Sequence, residues 1–351
     1  MSIAQKTFGV TAKGETVTLF TMTNSGGASV SVIDYGAILY GIVVPDRNGR
    51  LDDVNLGFDD LETYNNKGGS MGALIGRVGN RIAGAAFDLE GKHYTLGKNN
   101  GENNLHGGPM GFGVQMWQAR PVEGNAKDTL VMTLVSPDGD QGFPGTLHVT
   151  VEYTFNDENE LGIHYMAKTD APTLVNLTNH AYFNLDGHQA GTIDDLTLQI
   201  NADTVTEPGP GLIPTGRFMP VAGHPFDFTK ETRLGDVLAY ADTDPVMQPA
   251  GGVDLNYCAG RDRETKVIAT LRSPKTGRRM DVITDQPGVQ CYTAQGLNHQ
   301  GKGNVHYGRF AGVCLETQHY ADAIHHPQFP TVVLRPQDSY DTFTVYRFSA
   351  E

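Results

Sequence analysis

The stretch at residues 146–155 sets the terms for the fold. Leu147, Val149, Val151, Tyr153 and Phe155 alternate with Thr146, His148, Thr150, Glu152 and Thr154. A period of two means a strand with one buried and one polar face. A polar turn at residues 156–160 leads into Leu161, Ile163 and Tyr165, which alternate again, so the pair reads as an antiparallel hairpin. The same style recurs along the chain. Residues 16–22 read as a strand, and residues 28–44 as two more, broken at Tyr35-Gly36. Residues 87–89 and 93–96 flank Glu90-Gly91-Lys92, a tight-hairpin signature. Residues 331–334 and 342–348 look alike.

Helical signals are poor. Residues 229–240 predict one short helix, with Thr229 as N-cap and Glu231 in the first turn; residues 61–65 and 321–325 hold a turn or two at most. Without a βαβ rhythm, a doubly wound parallel sheet is disfavoured. The expectation is an all-β chain, a large antiparallel β-sandwich with few short helices, forming a single domain over residues 1–351. Pro208, Pro210, Pro214, Pro220 and Pro225 fall between strand-like segments of one style, so residues 207–228 read as a long loop rather than a domain linker.

Charge and cysteine content remove several function classes. Asp and Glu outnumber Lys and Arg by 40 to 26, which argues against nucleic acid, bound through clustered cations. The one basic run, residues 272–279, reads as a solvated hairpin. Cys258, Cys291 and Cys314 show no C-x-x-C spacing, so neither a disulfide framework nor a zinc site is suggested. His319, His325 and His326 lie close together without an H-E-x-x-H pattern, and no metal is expected. No apolar run approaches the roughly 20 residues that span a bilayer, and residues 1–6 carry no signal-like core. A cytoplasmic, soluble protein, with no membrane partner, is expected.

Two segments could carry chemistry. In residues 175–185, Asn176, Thr178, His180, Tyr182 and Asn184 share one strand face, polar yet uncharged. Such a face suits a ligand made of hydroxyls, or else an internal hydrogen-bond network. Glu316 follows Val313-Cys314-Leu315 in an apparently interior strand. A buried carboxylate is costly unless paired or functional, so it is either a structural ion pair or a reactive group. Cys314, Glu316, Gln318 and Tyr320 share its face. Around Arg77, Asn80 and Arg81, the glycines 72, 76, 79 and 84 suggest close backbone packing; no phosphate-loop pattern is present.

These segments resemble the aldose 1-epimerase (galactose mutarotase) family over nearly the whole chain. The markers occur in order: Gly76-Arg77-Val78-Gly79-Asn80-Arg81-Ile82; Asn104-Leu105-His106-Gly107-Gly108, with Gly111-Phe112 and Trp117; Ser136-Pro137-Asp138-Gly139-Asp140-Gln141-Gly142-Phe143-Pro144-Gly145; Asn176-Leu177-Thr178-Asn179-His180-Ala181-Tyr182-Phe183-Asn184-Leu185; Pro287-Gly288-Val289-Gln290; and Leu315-Glu316-Thr317-Gln318. Any one is weak; six in order are specific. The resemblance implies the mutarotase-type supersandwich with a sugar cleft on one sheet. It implies His180 as general acid and Glu316 as general base, with Asn80, Arg81, His106, Tyr182, Asp254 and Gln290 lining the sugar site. Two departures bear on sugar preference: Leu255 follows the aspartate, and Gly113-Val114 follows Gly111-Phe112, where many relatives differ.

The expected activity is interconversion of the α and β anomers of free aldohexoses such as galactose and glucose. The ring oxygen gains a proton while the C1 hydroxyl loses one; the open aldehyde turns about C1–C2 and recloses. The reaction needs no redox step, cofactor or metal. An imidazole of ordinary pKa about 6.5 can donate at neutral pH, and a carboxylate of about 4.3 can accept. The alternatives are a hexose-6-phosphate 1-epimerase, which would need cations beyond Arg77 and Arg81, a glycosidase built on Glu316 and Asp254, and a non-catalytic carbohydrate-binding domain. The expected partner is a monosaccharide alone, bound by a monomer or homodimer.

Overall fold

The computed structural model describes residues 2–66, 70–122, 127–260 and 263–351. Among these the chain is β-rich, with two short α-helices, Leu61–Asn66 and Leu234–Leu238. The largest sheet takes its strands in the order Gln118–Val122, Lys127–Ser136, Leu147–Asn156, Glu160–Thr169, Tyr340–Ala350, Arg278–Thr284, Lys266–Arg272, Thr197–Ile200 and Thr232–Arg233. The alternating hairpin lies inside it, as the third and fourth strands: Leu147, Val149, Val151, Tyr153 and Phe155 are buried, while the intervening residues are open to solvent to varying degrees. An N-terminal sheet runs in chain order from Ser2–Val10 to Leu51–Asp53.

A third sheet carries the cleft. Its order is Pro214–Pro220, Thr204–Pro208, Asp254–Cys258, Gly288–Tyr292, Cys314–Gln318. Leu255, Tyr257, Val289, Cys291 and Leu315 enter an apolar cluster that also takes in Val30 and Ile42 of the N-terminal sheet and Val151 and Tyr346 of the large one. Because side chains alternate, Asp254, Asn256, Gln290, Tyr292, Cys314 and Glu316 take the opposite face. Pairing sets them in rows: Asn256, Gln290 and Glu316 lie side by side, as do Asp254, Tyr292 and Cys314.

Local expectations fare unevenly. Ala86–Leu89 pairs with Lys92–Thr95 across Glu90 and Gly91, both at positive φ, as a primed two-residue turn requires. The second helix starts later than its capping signal implied: Thr229 binds Asp227 instead, and Arg233 precedes the helix in extended conformation. Basic residues 272–279 do lie across a hairpin, but Arg278 is not solvated. It is 2% exposed and donates to the carbonyls of Val44, Leu185 and Arg50. Residues 175–185 pair as a strand only at Thr178–Asn179, against Leu74–Ile75, with further bridges at Val78–Asn176, Asn55–Phe183 and Phe183–Val313. Both faces of that segment are buried, and His180 on its polar side meets Cys314 and Glu316 of the strand Cys314–Gln318.

Candidate active site

The loop holding Asn80 and Arg81 and the loop holding His106 form one wall. Asn104 and Leu105 pair with Ile82 and Arg81. Gly107 makes this approach possible: a Cβ there would sit 2.0 Å from the Gly76 carbonyl oxygen, at a φ of +83°. The result is a specific contact. The Asn80 backbone N–H donates to His106 Nδ1 at 3.1 Å, and the His106 N–H returns to the Asn80 carbonyl at 3.0 Å.

Arg77 takes no part in the cleft. It is 2% exposed, and its guanidinium donates to the Ser136 hydroxyl and to the carbonyls of Ser136, Pro137 and Pro144, each at 2.9 Å, and to the Thr173 hydroxyl at 3.2 Å. Burial lowers its pKa to about 10, opposed by Asp140, Asp138 and Asp170. Arg77 thus ties its own loop to residues 136–144, which explains both marker segments structurally.

His180 and Glu316 meet across the third sheet. His180 Nε2 lies 3.6 Å from Glu316 Oε1, and both side chains are buried. The imidazole stacks on Tyr182, with ring centroids 5.0 Å apart and planes 21° from parallel, and the His106 ring meets its edge at 5.3 Å. Gln290 donates to Asp254 at 2.6 Å, and Arg81 stands 3.8 Å from the other Asp254 oxygen. Glu316 Oε2 is buried without a protein partner, so it is available to a ligand.

The eight residues singled out in the sequence, Asn80, Arg81, His106, His180, Tyr182, Asp254, Gln290 and Glu316, line one cavity of about 410 Å³, a usual size for a small-molecule site. Asn176 and Asn184, on the same sequence face as His180, serve the backbone instead, donating to the carbonyls of His319 and Ala311. Tyr292, Gln295, Ser70 and Leu212 also line the cavity and had not been anticipated. Tyr292 was legible, two residues beyond Gln290 on one strand face. Residues 207–228 are not one long loop: Thr204–Pro208 and Pro214–Pro220 pair as a hairpin, and Leu212 comes from its turn. Leu255 packs into the core yet borders a small hollow beside the cleft with Asn80, Arg81, Asp254 and Gln290, whereas Gly113 and Val114 lie outside the lining. A larger hollow of about 720 Å³ lies by Asp285, His319 and residues 331–342. There Asp285 is held by Thr342 and the Phe343 N–H, and His319 Nδ1 by Gln286 at 2.8 Å, so it is a poorer reaction site.

Burial governs the electrostatics. It lowers His180 to about 4, a hydrogen bond to its own backbone opposing this. It pushes Glu316 well above the ordinary carboxylate range, with Asp254 adding to the rise and Arg81 opposing it. The spacing is that of an ion pair, but desolvation of both partners favours the neutral form, with the shared proton on Glu316. Burial raises Asp254 too, against the pull of Arg81 and Gln290. His106 falls well below the usual imidazole range through burial, then His180 and Arg81.

His106, His180 and Glu316 bring three possible metal donors within 4.8 Å of one another. The Asn80 N–H at His106 Nδ1 nevertheless leaves the neutral ring's hydrogen on Nε2. That nitrogen faces the cleft as a donor rather than as a metal ligand.

Comparison with known proteins places the chain in a family. The model of the family described as aldose 1-epimerase matches residues 18–347. The chain is 40% identical to the galactose mutarotase of Homo sapiens over 99% of both chains. It is 35% identical to the aldose 1-epimerase of Escherichia coli K12, over 96% of this chain and 97% of that one. Among solved structures, the GalM/aldose epimerase homologue from C. elegans superposes with a TM-score of 0.85 at 31% identity, covering 94% of this chain and 98% of that one. The chain belongs to the aldose 1-epimerase family.

Proposed function

We propose that the cleft interconverts the α and β anomers of free aldohexoses, with His180 and Glu316 as the acid–base pair. The carrying observation is the 3.6 Å approach of these two buried side chains in one cleft. When a sugar enters, the proton on Glu316 passes to His180 Nε2. The Glu316 carboxylate then takes the C1 hydroxyl proton as His180 protonates the ring oxygen, and the C1–O5 bond breaks. The aldehyde turns about C1–C2. On reclosure the new C1 oxygen regains its proton from Glu316, and His180 recovers the one it gave, so the cycle is proton-neutral. A buried imidazolium is a strong acid, suited to a weakly basic ether oxygen. Asn80, Arg81, His106, Tyr182, Asp254 and Gln290 would hold the remaining hydroxyls and leave C1 free to turn.

A 6-phosphate substrate is disfavoured because the hydrogen-bonding capacity of Arg77 is already taken up by Ser136, Pro137, Pro144 and Thr173. The apolar cluster running from Ile3 to Phe348 supports reading the chain as one domain. No helix among the described residues is long and apolar enough to cross a membrane.

Polarimetry tests the activity. Fresh α-D-galactose and α-D-glucose should reach equilibrium rotation faster with protein than in buffer, glucose 6-phosphate much less so, and an aryl galactoside should release no sugar. No acceleration with any free aldose would defeat the reading.

A further inference from the structure

Among the chemically active side chains near the cleft, one buried group has no part in the reaction as described. Cys314 lies on the same strand face as Glu316, two residues away, and its Sγ stands 3.4 Å from His180 Nδ1. We propose that Cys314 is a positioning residue whose sulfur accepts the Nδ1–H of His180 and so holds Nε2 toward Glu316 and the anomeric oxygens. The proposal rests on the role given above to His180.

The contact places Nδ1 against sulfur and Nε2 against the carboxyl, and the burial that favours the proton on Glu316 selects the hydrogen arrangement between them. Nε2 faces Glu316 Oε1. With the shared proton on that carboxyl, Nε2 must be the acceptor, so the imidazole's own hydrogen sits on Nδ1. The thiol sulfur is the side-chain acceptor that stands there. The other groups facing the ring do not compete for Nδ1: Tyr182 stacks on one face, His106 and Tyr292 meet it at right angles, and Asp254 and Arg81 act on Glu316.

The chemistry favours sulfur here. A carboxylate at Nδ1 would stabilise the imidazolium and weaken it as an acid. A thiol is a weak, neutral acceptor that orients the ring without holding the charge. Burial, then the nearby Glu316, pushes the Cys314 thiol well above its ordinary range, so no thiolate forms to capture the proton.

Two readouts test this. In ¹⁵N-labelled protein at neutral pH, two-bond ¹H–¹⁵N correlations of His180, assigned by their loss in His180→Gln, should show the Nδ1–H tautomer. In parallel, the pH profile of kcat/KM should shift on substitution. Cys314→Ser supplies a stronger acceptor, stabilises the imidazolium and should move the acid limb upward by on the order of 0.5–1 pH unit. Cys314→Ala should lower kcat about tenfold with KM within about twofold. An Nε2–H tautomer, or pH profiles superposable on the wild type in both variants whatever their stability, overturns the proposal. Wild-type turnover in His180→Gln would instead defeat the underlying role of His180.

Discussion

The Asn80 backbone N–H reaches His106 Nδ1 at 3.1 Å, and this single contact decides what His106 offers the cleft. A ring that accepts at Nδ1 and stays neutral through burial carries its hydrogen on Nε2. It is then a fixed donor to a sugar hydroxyl, bound alike in the closed and opening ring. Removing it while keeping a planar ring, in His106→Phe, should raise KM about tenfold with kcat within a few-fold, as loss of one uniform hydrogen bond requires. Steady-state polarimetry separates the two constants. A large fall in kcat at unchanged KM would place His106 in the proton transfer itself.

The His180–Glu316 pair works while it holds one exchangeable proton, and this fixes the pH dependence. As pH falls, His180 takes a second proton only near 4, where burial has lowered it, and activity is lost there. As pH rises, the pair fails when Glu316 gives up its proton, which burial and Asp254 delay well beyond the ordinary carboxylate range. The acid limb of the kcat/KM profile should therefore lie near 4 rather than near the free imidazole value of about 6.5. Asp254→Asn removes the negative neighbour, lowers Glu316 and should move the alkaline limb to lower pH, along with weaker sugar binding.

Arg77 illustrates stability without chemistry. Its five hydrogen bonds satisfy buried acceptors of residues 136–144 and Thr173. Arg77→Met strands those acceptors and should cost roughly 3–5 kcal/mol, read as a lower midpoint in urea. The folded fraction should keep its KM for galactose, because Arg77 does not line the cleft.

The alternating segments were legible because period two in a half-buried strand leaves little choice of structure: residues 146–155 became an interior strand with the expected inner face. Cleft residues were legible where a chemical type was out of place, as with Glu316 in an apolar strand and His180 on an uncharged polar face. Arrangements made by tertiary packing were not. Nothing local marks Arg77 as buried and Arg81 as facing the cleft, since both follow similar glycines. Arg278 sat in a basic run and turned inward because three carbonyls needed donors. The pKa values of His180 and Glu316 could not be read from residue type, because burial moves the two in opposite directions. Leu212 reaches the cleft from the turn of a proline-rich hairpin, where the prolines hid the strand signal.

The central claim is that one imidazole and one carboxyl trade a proton with the anomeric centre. Exchange spectroscopy at anomeric equilibrium measures that directly, as the rate at which enzyme interconverts the α and β C1 proton signals of galactose. His180→Gln and Glu316→Gln should each lower that rate by about 10²–10⁴-fold while still binding the sugar. Rates near wild type in both variants would contradict the account.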